Sequence, residues 1–161
     1  GVARTFQVTR PFAAMTCLEN VMVAAINRRP QEPRPAIARR AREELDFVGM
    51  SEFENLEARQ LNVIQKKRLE LARALATEPK LLLLDEVMGG LNTQEINQAV
   101  AFIRRLRDER GLTVLWIEHV MGAVMQAAER IIVLDQGRVL MTGAPQEVVN
   151  DERVVQAYLG D

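Results

Sequence analysis

Asp85 and Glu86 close the run Leu81-Leu82-Leu83-Leu84, and the next basic residue is Arg104. Two adjacent carboxylates at the end of an apolar run are costly unless something neutralises or uses them. If the run is a β-strand, successive side chains point to opposite faces, so the two acids take separate jobs. A division that uses both is one carboxylate holding hydrated Mg²⁺ and the next orienting a water for attack on a phosphate. The plainer alternative is that they end the strand and cap the next segment. His119, the single histidine, follows another short apolar run in Trp116-Ile117-Glu118-His119. A lone histidine is usually structural, but at the same sheet edge as the acids its imidazole could contact a terminal phosphate. Gln7 closes the first strand-like stretch and could reach that edge too; otherwise it is an exposed loop glutamine.

These residues need a scaffold, and the pattern supplies one. Leu81–Asp85, Thr113–Ile117 and Ile131–Asp135 are short, continuous apolar runs, as expected of parallel strands covered on both faces. In parallel sheets, ligands bind beyond the carboxyl ends of the strands, which is where Asp85 and Glu86 lie. Between the first two runs Ile96, Val100, Ile103 and Leu106 recur at helical spacing, and a second crossover precedes Ile131. A hairpin is expected at Asp135-Gln136-Gly137, then one last helix from Pro145 to Leu159. The first part is helical. Thr16 and Glu19 are spaced as an N-cap and its box partner, and residues 28–35, with three prolines among charges, read as a loop. From Ala36, the residues Ile37, Ala41, Leu45 and Val48 share a helical face, with Gly49 as the stop. Arg39, Arg40 and Arg42 point away from that face, as a solvated surface or a contact for an acidic partner or phospholipid. A further helix closes at Pro79. The fold class is α/β, with a sheet core over 1–7 and 79–145, an inserted helical subdomain over about 8–78 and a C-terminal helix over 146–161.

Composition removes several classes of function. A net charge of −1 over 161 residues excludes a generic nucleic-acid binder. One cysteine, Cys17, allows no internal disulfide and reads as a small buried hydrophobe in a reducing compartment. No apolar run approaches the ~18 residues needed to span a bilayer. The chain opens without methionine, directly in strand-like sequence, which predicts a piece of a longer protein.

Five segments in order carry a family resemblance: Ala3-Arg-Thr-Phe-Gln7, Arg68–Lys80, Leu81–Glu86, Gly89-Gly-Leu-Asn92 and Glu118-His119. Together they resemble the later part of an ABC transporter ATPase subunit, from the glutamine loop to the switch histidine, over the whole of residues 1–161. The details "RTFQ", "DEVMGGLN" and the ending "VVQAYLGD" are most similar to branched-chain amino-acid importers. The resemblance implies the C-terminal part of a P-loop NTPase domain that binds ATP and Mg²⁺. It implies that Asp85 coordinates Mg²⁺ through water, that Glu86 polarises the attacking water and that His119 contacts the γ-phosphate. Gln7 would sense metal and water, and Asn62 and Gln65 would belong to the signature segment that meets nucleotide on the partner. Asn92 would lie in the loop facing that partner, although Asn92 and Glu95 are also spaced as an N-cap and box partner. The implied partners are a second ATPase subunit, two transmembrane permease subunits and, indirectly, a solute-binding protein. The implied place is cytoplasmic, peripheral on the inner face of the membrane.

Two departures qualify this. A phosphate-binding loop needs Gly-Lys at its end. The three lysines, Lys66, Lys67 and Lys80, are preceded by Gln, Lys and Pro. Weak or absent ATP binding by these residues alone is therefore expected, with apolar strand surface left open. The signature segment reads Leu61-Asn-Val-Ile-Gln65, and Ile64 puts a branched side chain where the family has glycine. The rival reading belongs to another class: a non-catalytic permease-docking or dimerisation module. Retention of Gln7, Asp85, Glu86 and His119 together argues against it.

Overall fold

The computed structural model describes residues 1–159, and the chain divides into two units. Gly160 and Asp161, at the end of the expected C-terminal helix, lie outside the described residues. The first unit comprises Gly1–Val87 with Leu106–Ile117; the second comprises Met88–Arg105 and the chain from Glu118 onward.

In the first unit, strands β1 (Val2–Arg4), β2 (Leu81–Asp85) and β3 (Thr113–Ile117) form a parallel sheet with β2 in the middle. The register aligns Arg4 with Leu83 and Asp85 with Ile117, so all three carboxyl ends meet at one edge. Leu82 and Leu84 are buried, while Leu115 and Ile117 are 51% and 59% exposed. The expectation of strands covered on both faces is corrected for β3. Among the described residues of this unit nothing lies over that face, and an apolar run alone does not reveal which of its sides is covered.

Three helices pack together in the same unit: α1 (Cys17–Arg28), α2 (Arg34–Phe47) and α3 (Val63–Leu75). Val21, Ile37, Ala41, Leu45, Leu69 and Ala72 are buried among them, which gives the helical periodicity its reason. Thr16 caps α1 with the complete Thr16–Glu19 box. Helix α2 begins inside the expected loop, with Pro35 in its first turn, because a missing N–H costs nothing where no partner carbonyl exists. It stops at Gly49, whose φ of +71° lets Gly49 and Met50 N–H groups reach back to Asp46 and Leu45 carbonyls. Of the arginines on the outer side of α2, Arg40 pairs with Glu32 at 2.8 Å and Arg42 with Glu54 at 2.9 Å. Their charges are balanced within the chain.

In the second unit, α4 (Thr93–Asp108) starts and then passes into the first unit at Leu106. Helix α5 (Met121–Ala127) precedes β4 (Ile131–Asp135) and β5 (Arg138–Gly143). Here the sequence expectation is corrected, because β4 pairs antiparallel with β5 rather than within the parallel sheet. Its buried positions alternate: Ile131 and Val133 pack with Val148 and Val154, while Ile132 and Leu134 face out. The continuous apolar run hides an ordinary one-sided strand. The hairpin turns as expected, with Gln136 and Gly137 both at positive φ between paired Asp135 and Arg138. The single last helix is two, α6 (Pro145–Val149) and α7 (Glu152–Leu159). They part at Asp151, whose carboxylate accepts the Arg153 N–H at 2.9 Å and starts the second helix.

Candidate functional site

The acidic edge is built by the first unit alone. Asp85 is the last residue of β2, and its Oδ2 accepts a bond from Arg4 Nη2 at 2.8 Å. Glu86 comes next at φ +46°, a left-handed conformation that costs a residue with a Cβ about 1 kcal/mol or more. Two contacts hold it there: its N–H donates to the Ile117 carbonyl at 3.0 Å, and its Oε2 accepts from Gln7 Nε2 at 2.7 Å. The two acids therefore have separate partners, as their alternation predicts. Contacts from Ile117 on β3 and from Gln7, which lies past the end of β1, hold this conformation in place.

Neighbouring segments pin this edge. The Thr5 N–H donates to the Leu83 carbonyl at 3.0 Å, extending β1 toward Gln7. The Phe6 N–H donates to Glu70 of α3 at 2.8 Å. Burial raises the Glu70 carboxyl above its ordinary value, opposed by that N–H and by the Arg73 charge. Lys67, also on α3, donates to the carbonyl of Val87, one residue past Glu86, at 3.2 Å. Arg4, Phe6, Gln7, Val8, Arg73 and Asp85 are among the residues lining an open cavity of about 840 Å³.

The donor set suits a hydrated magnesium ion. Among the described residues no group of three or more His, Cys, Asp or Glu could form an all-protein metal cage. Mg²⁺ keeps several waters and needs only one or two carboxylates plus phosphate oxygens. Asp85, with one oxygen free of Arg4, would be such a carboxylate, and Gln7, whose amide nitrogen donates to Glu86, could offer the ion only its oxygen.

The remaining expected site residues lie in local structures. Asn62 caps α3, and the box with Gln65 is closed in both directions at 2.9 Å. The Asn62 side-chain oxygen and the Gln65 N–H are thus committed to each other, while Val63 and Ile64 are exposed. In the second unit Asn92 and Glu95 form the same kind of box, at 2.8 and 3.0 Å. His119 lies just beyond β3 with its side chain 66% exposed, beside the wholly buried carboxylate of Glu118.

Sequence reasoning missed Arg4, Glu70 and Glu118. Arg4 was detectable in principle, because a parallel register placing it beside Leu83 brings a cation near Asp85. Glu118 stood next to the only histidine, but burial of its carboxylate leaves no mark in sequence.

Comparison with known proteins gives consistent results. The ABC transporter family model matches residues 1–89, and that of the branched-chain amino acid ATP-binding cassette transporter matches residues 138–161. The chain is 38% identical to the high-affinity branched-chain amino acid transport ATP-binding protein BraF of Pseudomonas aeruginosa, covering all of this chain and 68% of that protein. LivG of Escherichia coli K12, of the same description, is 37% identical with the same coverage. An ATP-binding cassette of an ABC transporter, solved in its ADP conformation, superposes with a TM-score of 0.82 at 28% identity. That match covers all of this chain and 69% of the solved one. With its acids at the carboxyl edge of a parallel sheet and relatives of this kind along its whole length, the chain belongs to the ABC transporter ATP-binding family, in the group of the branched-chain amino-acid transport ATP-binding proteins.

Proposed function

We propose that this chain is part of an ATP-hydrolysing subunit that drives import of branched-chain amino acids or similar small solutes. The observation that carries this is Glu86, held at positive φ beyond the carboxyl edge of the sheet with Gln7 at 2.7 Å. Glu86 would orient and deprotonate the attacking water, and Gln7 would fix the carboxylate in that direction. Asp85 would hold Mg²⁺ through water; when bound, the ion neutralises phosphate charge. His119 would contact the terminal phosphate from its own loop.

Residues 1–161 contain no Gly-Lys pair to end a phosphate cradle, so these residues alone bind Mg-ATP weakly or not at all. Asn62 and Gln65 would meet nucleotide on a partner ATPase subunit, and Asn92 would face that partner. With the Asn62 oxygen in its own box and Ile64 in the segment, that contribution is weak. The helical region would dock on transmembrane permease subunits fed by a solute-binding protein. Among the described residues no helix is long and apolar enough to cross a membrane, in keeping with a peripheral place on the cytoplasmic face.

The test is phosphate release from Mg-ATP by the protein at its full encoded length, wild type against Glu86→Gln. The expected result is retained nucleotide binding with hydrolysis lowered about 100-fold or more. Equal hydrolysis by both would overturn the assignment. Failure of the wild type to bind nucleotide would favour the rival, a non-catalytic docking or dimerisation module, which the closed box at Asn62 and the bulk of Ile64 support.

A further inference from the structure

The second unit contains a carboxylate for which the proposed mechanism has no use. The Glu118 side chain is 0% exposed, yet no arginine or lysine is paired with it among the described ion pairs. Its hydrogen-bond partners are backbone, and the His119 ring Nδ1 lies 3.9 Å from Oε2. Oε1 accepts the Met88 N–H at 2.8 Å, and Oε2 accepts the N–H of His119 at 3.3 Å. Met88 is itself buried, and its carbonyl accepts the Leu91 N–H at 3.1 Å, so it opens the turn that leads to Asn92 and α4. Through one side chain, the backbone two residues past Glu86 is tied to the backbone of His119.

Burying a carboxylate is expensive, and for terminating a strand or filling space an apolar residue does better. A neutral amide cannot copy the arrangement. Glutamine has one acceptor oxygen, and its NH₂ would face the other N–H, donor against donor. A carboxylate accepts from both N–H groups at once.

We propose that Glu118 is a positioning residue. It fixes the segment after the acids relative to the loop of His119, so that a change in either is felt by the other. This rests on the ATPase assignment for its consequence, but the tie can be measured without nucleotide.

Residue-resolved amide hydrogen exchange on wild type, Glu118→Gln and Glu118→Asp is the first arm. In wild type the Met88 amide is protected well above neighbouring loop amides. In Glu118→Gln, Met88 or His119 exchanges at least tenfold faster, while β4, β5 and the melting temperature stay as in wild type. Glu118→Asp, which keeps both acceptors on a shorter arm, restores part of the protection. An unprotected Met88 amide in wild type overturns the proposal, even if no variant folds. So does unchanged exchange in Glu118→Gln, or acceleration spread evenly over the second unit.

The second arm is Mg-ATP hydrolysis at full encoded length. Glu118→Gln lowers kcat at least fivefold with KM unchanged. Unchanged kcat overturns the coupling when Glu86→Gln abolishes hydrolysis. If Glu86→Gln also hydrolyses normally, the ATPase assignment fails and the exchange result alone decides whether the tie is real.

Discussion

The acidic end of β2 and the start of α3 satisfy their polar groups in opposite ways. At α3 everything is local: Asn62 and Gln65, three residues apart, close a capping box with relaxed backbone. At β2 everything is long-range. Asp85 is met by Arg4, and Glu86 by Gln7 and Ile117, from segments far away in sequence. Glu86 also carries a backbone conformation that its own residue type disfavours. A helix start that satisfies itself has little left to offer a ligand. An acid held in strain by distant neighbours has an orientation that those neighbours set, which is what the proposed role of Glu86 requires.

Glu86→Gln would test that contrast most severely, since a glutamine keeps the shape and loses the base. Hydrolysis at full encoded length should drop about 100-fold or more, with melting temperature unchanged. The corresponding change at α3, Asn62→Ala, should act on stability instead. Loss of the box costs about 1 kcal/mol, readable as a lower denaturation midpoint, with hydrolysis reduced far less than by Glu86→Gln. If Asn62→Ala abolished hydrolysis while leaving stability untouched, the division between the two regions would be wrong.

Glu86→Gly sharpens the comparison from the strained side. Glycine adopts φ +46° without penalty, so the variant should be inactive yet about 0.5–1 kcal/mol more stable toward denaturant. A stability loss would mean that the Gln7 contact outweighs the backbone strain.

Smallest is a pH effect at Glu70, which joins the two regions by holding Phe6 from α3. Burial raises its carboxyl above the ordinary 4.5, so the unfolded chain releases this proton at lower pH than the folded one. Stability therefore falls as pH rises from 4.5 through the raised folded value. Glu44 adds in the same direction, also through burial. Glu70→Gln keeps an acceptor for the Phe6 N–H and removes its share of that slope. Unfolding midpoints against pH should be flatter for the variant; an unchanged slope would mean that Glu70 is ionised alike in both states.

Legibility in the sequence divides along the same line between local and distant. The Thr16–Glu19 box, the Gly49 stop and the turn at Gln136-Gly137 involve residues close together, and each formed where its spacing placed it. So did β2 and β3, whose apolar runs end in chemically distinctive residues. The misread elements needed non-local knowledge. Pro35 looked like a loop residue until its place in a first turn was known. Ile131–Asp135 looked doubly covered because exposed Ile132 and Leu134 are as apolar as their buried neighbours. Of the expected site residues, the acids and Gln7 announced themselves by type and position, and the structure brings Gln7 to Glu86. Arg4 and Glu118 did not, since only the register of β1 and the burial of one carboxylate give them their contacts.

The most direct measurement is calorimetric titration of residues 1–161 with Mg-ATP to millimolar concentration, for wild type and Glu86→Gln together. On the proposed assignment the acids act together with a phosphate cradle, and residues 1–161 hold no Gly-Lys pair to form one, so neither protein should give a binding heat. Saturable binding by either would contradict that claim and make Asp85, Glu86 and Gln7 a nucleotide site in their own right.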